Sequence, residues 1–173
     1  MKLIEAMKKC QLLQKKAEDL RNHVAKHCVD LDIETPVYGT EQEQREQIRK
    51  WIQSHSDVLA EIETLKTSIS RTNLATKVKI QLGEKAVEKP ITQWILRRRD
   101  LSKQEQVIWT KLTDRGLPEK QYLNQTTGQQ REIKLRRYYD PKERDQKLDL
   151  FQSEPFLIDA ALEVVNAVTD LIE

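Results

Sequence analysis

The chain has 173 residues, and charged side chains make up 34 % of it, yet 30 Lys+Arg against 28 Asp+Glu leave a net charge of only +2. With 4 Gly and 5 Pro it cannot supply the many reversals of a sandwich, a barrel or a doubly wound sheet, nor the glycines of a phosphate-cradling loop. It has neither a long apolar run that would span a membrane nor the apolar stretch of a secretory signal near Met1, so the composition reads as a cytoplasmic, helical protein.

A hydrophobic share of 38 % and a mean hydropathy of −0.72 predict a single elongated domain over 1–173 with much solvated surface. From Leu3, the residues Ala6, Cys10, Leu13, Ala17, Leu20, Val24, His27 and Leu31 recur at alternating spacings of three and four. That is a heptad seam and predicts a long helix packed on a partner helix. Cys10 and Cys28 lie on this one helix, about 27 Å apart at ~1.5 Å per residue, so they cannot bridge within it and read as buried thiols. Pro36 and Gly39 reverse the chain. Thr40 followed by Glu43 is a capping box that starts a second helix near Glu41. Ile48, Ile52, Leu59, Ile62 and Ile69 continue the heptad period, with Trp51, Val58 and Leu65 flanking, so residues 2–70 read as an antiparallel helical hairpin. Ser70-Arg71-Thr72-Asn73 then marks its end, with Asn73 capping or turning the chain.

Beyond it the period changes to two. Val78, Ile80 and Leu82 alternate with Lys77, Lys79 and Gln81, Gly83-Glu84-Lys85 turns, and Ala86-Val87-Glu88 returns, which predicts a small β-ribbon over 76–89. Pro90 suits a helix start, and a helix over 91–115 would place Ile91, Trp94, Ile95, Leu101, Ile108 and Leu112 inward before stopping at Arg115-Gly116-Leu117-Pro118. A second ribbon is expected in 121–139, turning at Thr126-Thr127-Gly128 and alternating Ile133, Leu135 and Tyr139 against Glu132, Lys134, Arg136 and Tyr138. Asp140-Pro141-Lys142-Glu143 combines an N-cap, an N1 proline and an N3 glutamate, so the last helix covers 141–173 and is kinked or broken near Pro155. It carries two apolar stripes, one of Ile158, Leu162, Val165 and Ile172, the other of Leu157, Ala161, Val164, Val168 and Leu171. That is more apolar circumference than one partner helix covers.

The near-neutral total conceals segregation: residues 1–70 carry a net −1, residues 71–147 a net +9 and residues 148–173 a net −6. Within the middle, Arg97, Arg98 and Arg99 span 200° of a helix, so at least one must turn toward the packed side. Arg131, Arg136, Arg137 and Arg144 with Tyr138 and Tyr139 form a second basic group. Guanidinium forks bind phosphates in pairs and tyrosines stack on bases, so these seven arginines are the candidate anion or nucleic-acid site. Pairing with Asp100, Asp140, Glu143, Asp145 and the acidic tail is the competing account, and the matched totals favour it. His23 and His27 are four apart beside Cys28, but His55 falls about 9 Å off register in the facing helix, so no metal site is expected. Trp51, Trp94 and Trp109 stand beside seam positions and read as packing residues. There is no HExxH, GxSxG, Walker or Rossmann pattern, so neither enzymatic activity nor a cofactor is expected.

The hairpin, the Ile69-Ser70-Arg71-Thr72-Asn73-Leu74-Ala75-Thr76 stretch and Arg137-Tyr138-Tyr139-Asp140 with Arg144-Asp145 together resemble the septicolysin-like family of bacterial helical proteins. The resemblance implies a helical, homo-oligomeric, cytoplasmic protein and carries no catalytic residue; the pore-forming activity that the family's name suggests lacks a secretion signal or membrane segment here. The expectation is a self-assembling structural or interaction module, with nucleic-acid or anion binding by 97–144 as the alternative.

Overall fold

The computed structural model describes residues 1–117, 120–123 and 130–172, and for 120–123 and 130–133 the backbone alone. In chain order it comprises α1 (Leu3–His27), α2 (Glu41–Ala75), β1 (Lys77–Leu82), β2 (Lys85–Pro90), α3 (Ile91–Leu96), a π turn (Arg97–Leu101), α4 (Ser102–Thr110), β3 (Lys120–Leu123), β4 (Gln130–Ile133) and α5 (Pro141–Val168). The fold is thus mainly α with small antiparallel ribbons. The chain divides into two compact units, the first from Met1–Lys77, Pro90–Thr92 and the residues from Glu163 onward, the second from Val78–Lys89 and Gln93–Leu162.

The first unit is built on the α1–α2 hairpin. The helices are antiparallel, since Gln44 Nε2 donates to the His27 carbonyl at one end (2.8 Å) while Lys9 pairs with Glu61 further along (2.7 Å). Ala6, Cys10, Leu13 and Ala17 of α1 pack with Val58, Ile62 and Leu65 of α2, the small alanines letting the helices approach closely. The α2 seam differs from the expected one. Gln44, Ile48, Trp51, His55, Val58, Ile62, Leu65, Ile69 and Thr72, an unbroken alternation of three and four, are buried or half-buried along α2, whereas Ile52 and Leu59 are exposed. Apolarity alone selects Ile52 and Leu59, but keeping phase with Ile62 and Leu65 requires the amphipathic His55 and Trp51 instead.

The ends of the helices also move. Helix α1 stops at His27, leaving Leu31 and Cys28 exposed in the connection, so of the two thiols only Cys10 is buried. Helix α2 begins on the expected capping box, Thr40 N donating to Glu43 Oε2 (2.8 Å) and Glu43 N to Thr40 Oγ1 (3.3 Å). Gly39 precedes it with φ +102°, in the left-handed region that favours glycine, and a Cβ there would push the Glu43 carboxylate out of the cap. At its other end α2 runs on to Ala75, so Ser70 to Asn73 are helical and Asn73 neither caps nor turns the chain. Thr72 is fully buried because its Oγ1 donates to the Ser68 carbonyl (2.8 Å) and accepts from Ile172 N (2.9 Å). The latter bond belongs to a clasp: Leu3 N donates to Thr169 O and Leu171 N to Met1 O (both 2.9 Å), while Lys2 Nζ reaches Asp170 and the Val168 carbonyl. The Val168 bond answers one of the orphan carbonyls at the C-terminus of α5.

In the second unit, β1 and β2 form the first ribbon, with Val78 and Ile80 buried, Lys77, Lys79 and Gln81 exposed, and Gly83 in the left-handed region. Trp94 is fully buried and satisfies its indole N–H on the Val78 carbonyl (2.9 Å). The expected 91–115 helix is interrupted by the π turn and ends at Thr110. Beyond the turn the inward face is displaced by one residue: Ser102 is buried, while Leu101 and Ile108, expected inward, are exposed. A π turn inserts one residue into the helical repeat, and no periodic reading of apolar residues contains that insertion. Strands β3 and β4 pair antiparallel with Lys120 opposite Ile133, so the second ribbon ends at Ile133; its turn at Thr126-Thr127-Gly128 lies outside the described residues. Helix α5 starts on Asp140, whose Oδ1 accepts from Lys142 N (2.8 Å), and is unbroken at Pro155.

A buried carboxylate at the π turn and the surrounding arginines

The most developed polar constellation among the described residues centres on Glu154 of α5, which is 1 % exposed. Its Oε1 accepts from Arg97 Nε, and its Oε2 accepts from Arg97 Nη2 (3.1 Å) and Ser102 Oγ (2.8 Å). The same guanidinium donates to both oxygens of Glu105, from Nη1 at 3.2 Å and Nη2 at 2.8 Å. Arg97 and Ser102 are five residues apart, which in an α-helix sets side chains about 140° apart around the axis. In the π turn the Ser102 N–H bonds the Arg97 carbonyl, closing the i to i+5 loop, and both side chains point at one carboxylate. Hydrogen bonding to Glu105 is the largest effect raising the Arg97 guanidinium further above its ordinary value, and in return Arg97 holds the Glu105 carboxyl below 4.5. Both Glu154 oxygens are committed to donors. The group is a tie between α5 and the helix at the π turn rather than a poised acid or base.

The other candidate arginines are placed as follows. Arg98 pairs with Asp159. Arg137 grips Asp114 with two bonds of 2.7 and 2.6 Å, a contact joined by the Tyr139 hydroxyl at 3.2 Å, and this depresses the Asp114 carboxyl. Arg144 pairs with Asp145 (2.7 Å), donates to the Leu112 carbonyl (3.1 Å) and lies 5.7 Å from the Tyr139 ring centroid. Arg99 and Arg136 are exposed, and no ion pair engages either of them among the described residues. The Arg131 side chain lies outside what is described. The seven arginines therefore do not form one open cation cluster, because four of them already hold carboxylates. Asp145 is named individually from the sequence, and Glu154 and Asp159 fall within the acidic tail named there as a whole; Glu105 and Asp114 are not legible there, since their pairings span the π insertion or a fold contact.

In the first unit His23 stacks on Trp51 (5.3 Å between centroids), and His27 and Tyr38 meet the same indole edge-on or tilted. The histidines thus complete an aromatic cluster at the end of the hairpin. No group of three or more His, Cys, Asp or Glu among the described residues is arranged to hold a metal ion.

A helical hairpin joined to a smaller α+β unit defines the class of this protein, and its sequence places it in a family. The model of a family of unknown function, DUF6847, matches residues 10–171, so the chain belongs to that family. No curated protein matches the chain. A solved structure titled as a functionally unknown conserved protein from Corynebacterium diphtheriae is similar over 99 % of both chains at 20 % identity, with a TM-score of 0.58, and this likeness extends to the fold. No helix among the described residues is long and apolar enough to cross a membrane.

Proposed function

We propose that this protein is a non-enzymatic, cytoplasmic structural module that assembles with copies of itself. The observation that carries the reading is the second apolar face of α5. Ile158 and Leu162 are buried on one side of that helix, while Phe156, Leu157, Val164 and Val168 stand exposed on another, with Ala160 and Ala167 between them. A contiguous apolar stripe of this kind on an otherwise highly charged surface is the signature of an interaction face. The resemblance to septicolysin-like proteins, with its implication of a helical oligomer, points the same way. Light scattering at micromolar concentration should give a mass above one chain, and Val164→Glu with Phe156→Glu should lower it while leaving the circular dichroism unchanged. A monodisperse monomer overturns the reading.

A second reading, nucleic-acid or anion binding by the basic 97–144 region, is supported by Arg136, which is exposed two residues before Tyr138, itself 90 % exposed. An exposed ring beside a guanidinium suits a stacked base. Binding to a mixed oligonucleotide pool that weakens with salt and with Arg136→Glu would support it, and no binding at about 50 mM salt would remove it.

A further inference from the structure

The connection between α1 and α2, taken together with the first turn of α2, has an unusual composition. Residues 28–43 contain Asp30, Asp32, Glu34, Glu41 and Glu43 and no Lys or Arg, a net −5 in a chain whose total is +2. Through its first half, acidic and apolar residues alternate, Val29-Asp30-Leu31-Asp32-Ile33-Glu34. Val29, Leu31, Ile33 and Val37 are all exposed, Ile33 by 86 %. Apolar side chains at the tip of a solvated loop are normally folded under it; here they are displayed. The display is structured, because Glu34 N donates to the Leu31 carbonyl (2.9 Å), Leu31 N donates back to Glu34 Oε2 (3.2 Å), and Tyr38 N is held by Gln44 Oε1 (3.2 Å). A groove of about 440 Å³ opens beneath, lined among others by Leu31, Pro36 and Ile48. The Asp30 and Asp32 carboxylates enter no ion pair among the described residues.

The second unit presents the complement. On the exposed side of α4, Lys103, Val107 and Lys111 follow one another at spacings of four, with Ile108 beside them and Arg99 at the π turn before them. Val107 and Ile108 are exposed, and among the described residues none of Arg99, Lys103 and Lys111 is engaged in an ion pair. The displacement of the helical face by the π turn is what turns Ile108 outward. An acidic loop studded with aliphatic side chains and a basic helix face with aliphatic side chains between its cations match in both charge and apolarity.

We propose that the hairpin tip of one copy docks on the α4 face of a second copy, with Leu31 and Ile33 against Val107 and Ile108 and with Asp30 and Asp32 against Lys103 and Arg99. This deepens the self-assembly reading and rests on it. The contact joins two different surfaces, so it is heterologous: each added copy leaves one tip and one α4 face open, and assembly proceeds to a closed ring or an open filament. The apolar contacts supply the burial and the charges select the partner, so the association weakens as salt rises.

The test uses the full chain in three forms: unmodified, a tip reversal (Asp30→Lys, Asp32→Lys, Glu34→Lys) and a helix reversal (Arg99→Glu, Lys103→Glu, Lys111→Glu). Each is checked for retained helicity by circular dichroism and measured by sedimentation over a range of concentration and salt. The unmodified chain should associate, each reversal alone should weaken association by at least about tenfold, and an equimolar mixture of the two reversals should recover assembly with the two variants alternating, since the reversed tip now matches the reversed helix and the two unmodified surfaces still match each other. Should both reversals keep the unmodified mass while Val164→Glu with Phe156→Glu lowers it, self-assembly stands and the tip contact falls. Failure of the mixture to recover association also overturns the contact, and an unmodified chain that stays monomeric overturns both.

Discussion

The Glu154 carboxyl sits almost fully out of water, and three donors, two from Arg97 and one from Ser102, replace its hydration. Truncating one partner of such a pair strands the other, which costs about 3–5 kcal/mol, whereas replacing both by apolar residues of similar volume is close to neutral. Glu154→Ala should therefore lower the urea midpoint sharply, and Arg97→Met with Glu154→Leu should recover most of the loss; equal midpoints for both variants would show that the tie has no such coupling. The neighbouring Glu105 responds to acid. Its folded carboxyl is held below 4.5 by Arg97, so this pairing contributes its full stability above the ordinary glutamate range and loses it as pH falls through the depressed folded value. Glu105→Gln should accordingly flatten the fall of the urea midpoint below pH 4.5 and leave its neutral-pH slope unchanged.

At the scale of elements, the hairpin register makes a prediction that separates two readings of α2. Leu65 and Ile62 sit in the buried seam, so Leu65→Ala or Ile62→Ala should cost about 2–5 kcal/mol. Ile52→Ala and Leu59→Ala, on the exposed side, should change stability by less than about 1 kcal/mol. Thermal unfolding of the four variants checks the ordering. Thr40→Ala removes the cap that starts α2 and should cost about 1 kcal/mol, a fall of ~2–4 °C in the melting midpoint for a chain of this size. The α1 seam was legible because Leu3, Ala6, Cys10, Leu13 and Ala17 are all apolar; the α2 seam was only half legible because Gln44 and Thr72 occupy it for reasons of hydrogen bonding and His55 takes a position that apolarity alone does not mark. Gln44 closes the end of α1 and Thr72 receives the segment after α5, contacts that exist only once the chain has folded. The first ribbon was legible from its period of two, and the two-faced α5 from its double stripe. The buried carboxylate was not, because a glutamate beside a proline carries no local mark of burial, and because the π turn that gathers its donors leaves no periodic trace.

For the whole molecule, the net charge of +2 is the remainder of opposed segments, and part of the opposition is resolved inside the second unit. Arg97 and Arg98 of the basic middle hold Glu154 and Asp159 of the acidic tail, while Arg137 holds Asp114 within the middle itself. The remainder includes an acidic tip and a basic helix face, and it is this remainder, not the total, that an approaching copy would meet. The clasp has a consequence for the order of events when the chain is made. The hairpin seam joins residues within the first 75 positions and closes a short connection, so it can form while synthesis continues. Leu3 N and Met1 O, by contrast, wait for Thr169 and Leu171, which are made only after the whole of the second unit, and Thr72 Oγ1 waits for Ile172. A nascent hairpin thus carries a provisional end whose hydroxyl gains its second partner only once the segment after α5 has been made, and in pulse-labelling exchange during refolding the Leu3 and Leu171 amides should become protected after those of the Val58 to Leu65 seam.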